Sequence, residues 1–147
     1  MTTSTQLHIQ GIPHTLVERL WIYAEPYIKR ALDHTSGELT VDDFKQLCLN
    51  QSVQLWLVNR ENRVIGAITT EIINYPRRKH CRVITLAGSD FSSWVGLADT
   101  TLMAWATSLG CQALETYVRK GLVPKLDALG YKHKHSVLVK PLTNGVP

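Results

Sequence analysis

Apolar positions along the chain follow two periods, one near 3.6 residues and one near 2, and the changes between them predict the elements. Residues 1–12 hold neither period; Leu7 and Ile9 allow a short strand or a loose tail. Pro13 opens a helix, where its missing N–H costs nothing, and Leu16, Leu20, Ala24 and Ile28 recur at helical spacing. Pro26 falls inside that pattern and is expected to kink the helix or start a second one, with Ser36-Gly37 as the stop. Thr40 caps the next helix, with Asp42 and Asp43 favourably placed in its first turn; Phe44, Leu47 and Cys48 form its inner face.

At Val53 the period changes. Val53–Val58 and Val64–Ile73, joined by the polar turn Asn59–Arg63, read as an antiparallel hairpin. Residues 74–79 make a second turn, and Arg82–Ala87 a third strand. A helix capped by Ser92 or Ser93 follows. Trp94, Leu97, Ala98, Thr101, Leu102, Trp105 and Leu109 share one side of it, and Gly110 ends it. Ala113–Val118 is a fourth strand, approached from a helix and so expected parallel to the third. Gly121–Leu129 is a short helix closed by Gly130, and Tyr131–Lys140 a last strand. The order α, α, β, β, β, α, β, α, β predicts an α+β fold: a mixed, mostly antiparallel sheet between helices in three layers. The expectation is one domain over residues 1–147, with 1–12 and 143–147 as loose tails.

The length, 147 residues, suits one domain with its own core. No apolar run reaches the roughly 18–20 residues of a membrane-spanning helix, and the polar start MTTSTQLHIQ has no signal-peptide pattern. Cys48, Cys81 and Cys111 form no CxxC pair, which suits buried apolar roles in a reducing compartment.

The net charge of +4 is mild but unevenly spread. Residues 1–50 hold six acids, whereas from Arg119 onward there are six bases and one acid. Arg77, Arg78 and Lys79 tip a hairpin as a basic surface, within the run that ends at Arg82. Without a nucleic-acid-binding motif, that patch could anchor phosphates but not read bases, so no specific nucleic-acid partner is expected.

Lys125-Leu126-Asp127-Ala128-Leu129-Gly130-Tyr131, with a basic stretch after it, is similar to the late "LYEKLGF"-type segment of the GNAT superfamily of acyl-CoA N-acetyltransferases. The first hairpin, with Ile65-Gly66-Ala67, resembles that superfamily's "V-x-G" hairpin. Together with the element order, this likeness spans residues 13–140, and within the superfamily it is nearest to short members encoded by tailed bacteriophages. The resemblance implies acetyl-CoA lying between two splayed parallel strands, Arg82–Ala87 and Ala113–Val118. Its pyrophosphate would sit on the turn at a helix N-terminus, which makes Leu86, Ala87, Gly88, Ser89, Ser92 and Ser93 the cofactor-binding candidates. The superfamily's Arg/Gln-x-x-Gly-x-Gly/Ala signature is reduced here to Gly88 and Gly96, with Asp90 and Trp94 between them. Leu126 stands where many members place a tyrosine acid.

Acetyl transfer to an amine needs a proton acceptor and a donor; Glu71 and Tyr117 are the catalytic candidates. His133 and His135, expected on one face of the last strand, lack further ligands, so no metal is expected. His8, His14, His34 and His80 have no informative spacing. Trp94, at a helix start, is the tryptophan expected to line a pocket or interface. The implied function is an acetyl-CoA-dependent N-acetyltransferase-like protein whose pyrophosphate loop is degenerate and whose activity is weakened or lost. The alternative is a non-catalytic structural or interaction protein of a phage virion. The implied partners are phage or host proteins or further copies of the chain, with no membrane, either in the bacterial host's cytoplasm or on the virion.

Overall fold

The alternation that begins at Val53 builds the centre of a five-stranded sheet. In a computed structural model that describes residues 6–33 and 37–142, β1 (Leu7–Ile12), β2 (Gln54–Arg60), β3 (Arg63–Asn74), β4 (Lys79–Gly88) and β5 (Ala113–Thr116) lie side by side in that order. The first four strands are antiparallel, and β5 runs parallel to β4, as its approach from a helix requires. The β2–β3 connection is the two-residue loop Glu61-Asn62, both residues at positive φ (53° and 63°), which suits the twist of a tight hairpin.

Helices cover both faces. On one, α1 (Val17–Leu32) and α2 (Val41–Leu49) bury Val17, Trp21, Ala24, Ile28, Phe44 and Cys48 against Leu55, Leu57 and Ala67. On the other, α3 (Phe91–Ser108) buries Trp94, Ala98 and Leu102 against Trp56, Val58, Ile68 and Val83. This is the expected three-layer α+β architecture. Thr40 caps α2 as anticipated: its hydroxyl accepts from Asp43 N–H, and Asp43 accepts from Thr40 N–H. The chain divides into two units, residues 1–117 and 118–147. The second holds a 3-10 turn, Lys120–Leu122, and the short helix α4 (Val123–Asp127), whose Leu126 is buried.

Several expectations fail. Residues 7–12 are not a loose tail: they pair with β2 from Leu7↔Arg60 to Ile12↔Leu55. Leu7 and Ile9 pack on the α3-side core, and Ile12 on the α1-side core. Of the two outcomes expected at Pro26, a second helix does not form: α1 runs on through it. Pro26 lies on the exposed face, as does Ile22, whose carbonyl loses its helical partner where water can replace it. Neither Ser92 nor Ser93 caps α3; Asp90, in the left-handed region at φ 54°, is the N-cap residue.

Tyr131–Lys140 forms no strand, so His133 and His135 do not share a strand face. Lys and His alternate there and then give way to the exposed run Val137-Leu138-Val139, which leaves no buried face to set a register. Trp94 is wholly buried rather than lining a surface pocket. Residues 1–5 and 143–147, His34, and Ser36 as a helix stop lie outside the described residues.

Candidate functional site: a strand fork and a polar cluster

Two interruptions meet in β4. Its pairing with β3 passes from Thr69↔Thr85 to Thr70↔Val83, so Ile84 has no opposite number and forms a β-bulge. Its pairing with β5 runs from His80↔Ala113 to Val83↔Thr116 and stops there. β4 itself continues through Ile84–Gly88. The two parallel strands therefore pair as far as the bulge; there β5 ends and β4 runs on, and this end of the pairing is the fork. Among the described residues no strand takes up the β4 edge beyond Val83. That stretch contains Leu86 and Ala87, whose other edge pairs with Ile68 and Ala67. The fork lies two residues short of Val118, the expected end of the fourth strand, with the N-terminus of α3 three residues beyond Gly88.

The turn at the head of the fork is crowded by the protein itself. Ser89 N–H donates to Ile65 O at 2.7 Å, and Trp94 Nε1 donates to Ser89 O at 2.8 Å. Gly88 faces Gly66 across the ladder, with the Trp94 ring over both: a Cβ at Gly88 would lie 2.6 Å from Gly66 Cα and 2.8 Å from Trp94 Cζ2. The glycine thus makes room for Trp94 and leaves no cradle for a ligand. Phe91 meets the Trp94 ring edge-on at 5.0 Å.

Asp90 does not stand as a bare negative charge. Arg60, from the end of β2, donates to its carboxylate at 2.8 Å and to Ser93 Oγ at 2.7 Å, while Ser93 Oγ donates to Asp90 O. The hydrogen bond from Arg60 is the largest cause that holds the Asp90 carboxyl below the ordinary carboxylate range. Arg60 was invisible to a search for a cation within the loop, because the hairpin brings it from a distant part of the sequence.

The second feature is a cluster on the α1–α2 side of the sheet, just below the fork. Glu71 follows Ala67 and Thr69 at two-residue steps, so all three share that face. The registers Glu71↔Arg82 and Arg82↔Glu115 then place one guanidinium between two carboxylates on adjacent strands. Arg82 Nε donates to Glu115 Oε2 at 2.9 Å, Nη2 donates to Tyr117 Oη at 3.2 Å, and Nη1 is 3.6 Å from Glu71 Oε2. The guanidinium also lies 4.8 Å from the Tyr117 ring centroid, a cation–π contact. Glu115 Oε1 accepts from Tyr75 Oη at 2.6 Å and from His80 Nδ1 at 2.8 Å.

Partial burial pulls the Glu115 carboxyl upward, but hydrogen bonds from Tyr75, His80 and Arg82 outweigh it and the net shift is downward. The hydrogen bond to Glu115 in turn raises Tyr75 above the ordinary tyrosine value.

Of the sequence candidates, Glu71 and Tyr117 fall within this cluster, and Leu86, Ala87, Gly88 and Ser89 lie along and just past the fork. Ser92 and Ser93 are exposed on the first turn of α3. The basic surface is only partly as expected. Arg77 and Arg78 are exposed, but Lys79 is tied down, its Nζ donating to Leu109 O at 2.7 Å beyond the C-terminal end of α3. Sequence reasoning passed over Tyr75, His80 and Glu115. Among the described residues no group of three or more His, Cys, Asp or Glu could hold a metal ion, and no helix is long and apolar enough to cross a membrane.

The sequence matches no protein-family model and no curated protein. Solved structures do match its fold. A soil-metagenome aminoglycoside acetyltransferase in complex with sisomicin superposes with a TM-score of 0.68 at 13% identity, over 93% of this chain and 97% of that one. A GCN5-related N-acetyltransferase from Ralstonia eutropha gives 0.65 at 14% identity, over 92% and 98%. The chain has the GNAT fold. A predicted acetyltransferase from Clostridium acetobutylicum, solved with acetyl-CoA, also shares this GNAT architecture, with a TM-score of 0.64 at 13% identity over 93% and 97% of the two chains.

Proposed function

We propose that this GNAT-fold chain binds an acyl-CoA, acetyl-CoA in the first instance, and transfers its acyl group to an amine. The observation that carries the reading is the fork: β4 and β5 pair only as far as Val83↔Thr116, and the bulge at Ile84 stands at the same point. A free strand edge offers N–H and C=O groups to a ligand that carries amides of its own, and the pantetheine arm of CoA has two. Structural neighbours solved with acetyl-CoA and with CoA support this choice of ligand. Ile84–Gly88 are the residues that would hold the arm. The diphosphate end fits less well, because Ser89 N–H is already engaged and Trp94 fills the space over Gly88.

Calorimetric titration of the full chain with acetyl-CoA at low salt tests the reading. Saturable one-to-one heat is expected. No heat at about 1 mM ligand, where even a binding free energy of about −4 kcal/mol registers, would remove its basis.

The crowded turn favours a second reading, in which catalysis is weakened or lost and the scaffold serves as an interaction protein. The exposed run Val137-Leu138-Val139 adds to it, and the likeness to phage-encoded members supplies the virion as a setting. Capture of the chain on purified phage particles, together with absent acetyl-CoA binding, would favour this reading over the first.

A further inference from the structure

We infer that Glu115 is a positioning residue that sets the proton roles of two side chains beside the fork, making His80 a proton acceptor and Tyr117 a proton donor. The inference rests on the acyl-transfer reading for its chemistry, but the protonation states follow from hydrogen bonding alone. A carboxylate can only accept, so the ring nitrogen 2.8 Å from Glu115 Oε1 is a donor, and His80 carries its proton on Nδ1. A guanidinium can only donate, so His80 Nε2, 3.1 Å from Arg78 Nε, is an acceptor and bare. The two contacts independently give the same neutral tautomer. Arg78 is exposed and two residues away, so an incoming amine or water can displace it from Nε2.

At the other end of the network, Arg82 is held by Glu115 through Nε and donates to Tyr117 Oη through Nη2. The phenol oxygen is thus an acceptor within the network, and its own proton is left to point outward. Tyr117 is the first residue after Thr116, the last residue of β5 paired with β4, so it stands where the pairing ends. His80 lies three residues back along β4 from Val83, about 10 Å of backbone at strand rise, so the two side chains exchange protons with solvent rather than with each other.

The step balances. His80 Nε2 takes a proton from the acceptor amine, whose lone pair forms the C–N bond to the acyl carbon. The C–S bond breaks with its electron pair going to sulfur, and Tyr117 gives the thiolate its proton. The imidazolium then gives its proton to solvent, and the phenolate takes one from solvent, which restores both groups.

Two measurements on the full chain test this. Long-range proton–nitrogen NMR, with His80 assigned from its absence in His80→Gln, should show the proton on Nδ1. In Glu115→Gln combined with Arg78→Ala, no guanidinium holds Nε2 bare and the amide can donate to Nδ1, so the proton should move to Nε2. A wild-type His80 protonated on Nε2, or a tautomer unchanged in that double variant, overturns the inference whether or not acetyl-CoA binds. In the second measurement, CoA release from acetyl-CoA is followed with spermidine or water as acceptor. Glu115→Gln and Tyr117→Phe should each lower kcat by about 10²-fold or more, the ordinary worth of a positioned acid or base, with acetyl-CoA affinity within twofold of wild type. Unchanged kcat, or a wild type that binds acetyl-CoA yet releases no CoA, overturns the proton roles. A wild type that does not bind acetyl-CoA instead overturns the acyl-transfer reading and leaves the tautomer result standing.

Discussion

Gly88→Ala separates two explanations for a glycine at the head of the fork. If it exists for a ligand, an alanine should weaken acetyl-CoA binding and leave stability alone. The geometry argues otherwise. The new methyl would lie 2.5 Å from Ile65 O and 2.6 Å from Gly66 Cα, both backbone atoms of the adjacent strand, and 2.8 Å from Trp94 Cζ2. A side chain can turn away, but two backbone atoms can give way only if β3 and β4 separate. Overpacking of that kind costs about 2–3 kcal/mol, which in a chain of this size lowers Tm by roughly 6–10 °C. Gly96→Ala is the internal control: nothing lies within 4 Å of its added Cβ, and it sits inside α3, so it should stabilise by about 0.5–1 kcal/mol. Replacing Trp94 with Phe in the Gly88→Ala background removes one of the three close contacts and leaves the backbone pair, so it should not restore stability. Urea unfolding of the four proteins gives the comparison. A Gly88→Ala variant as stable as wild type with weakened acetyl-CoA binding would refute the argument.

Three further outcomes follow from other contacts. The Glu115 carboxyl is lowered on folding, so its ion pairs stabilise the fold above the ordinary glutamate pKa of about 4.3 and are lost as pH falls through the lowered folded value. Glu115→Gln should therefore flatten the acid side of the urea-midpoint profile, and an unchanged slope would show that the carboxylate carries no folding linkage. Asp90→Asn removes a negative charge from the head of the fork and frees the Arg60 guanidinium. Acetyl-CoA should bind severalfold tighter at low salt, with the difference fading at high salt; equal calorimetric affinities in both salts would place the phosphates elsewhere. Thr40→Ala loses the side-chain half of the α2 capping box and should cost about 1 kcal/mol in chemical denaturation; a change below a few tenths would mean that the α2 end frays regardless.

Much of the fold was legible because it rests on periodicity. The two cores follow the apolar spacing of α1, α3 and the alternation of β2 and β3. At Pro26 one helix continues instead of a second one starting, because Ile22 and Pro26 are both exposed and water can take the place of the lost hydrogen bond. Tyr131–Lys140 misled because alternating charge satisfies the pattern of a strand without providing a face to bury.

The site was harder to read. Glu71 could be picked out as a strand carboxylate, but Glu115 becomes its counterpart only once Arg82 is registered against both. Half of that register was available: the turn that closes Asn74↔Lys79 also fixes Glu71↔Arg82. The other half needed the parallel pairing of β4 with β5, which spans the whole of α3 and leaves no local signal.

The two parts of the site make different demands on sequence, and this bears on what a degenerate loop means. A fork is made by backbone pairing that stops, so almost any residues can line it, and it survives while the bulge at Ile84 survives. An anion-binding turn needs free amides and close approach, and here Ile65 O and Trp94 have taken both. The residue changes that blur the turn therefore leave the fork untouched. What they alter is the charge near the α3 N-terminus, where Arg60 is paired within the protein by Asp90 and Ser93. A CoA phosphate arriving there would have to exchange one carboxylate partner of Arg60 for another anion. Most of that electrostatic gain cancels, so affinity would come from the arm along β4. Pantetheine derivatives that lack the nucleotide should then bind almost as well as acetyl-CoA itself. A loss of several hundredfold on removing the nucleotide would show that the turn still grips phosphate and that the crowding seen around Gly88 yields on binding.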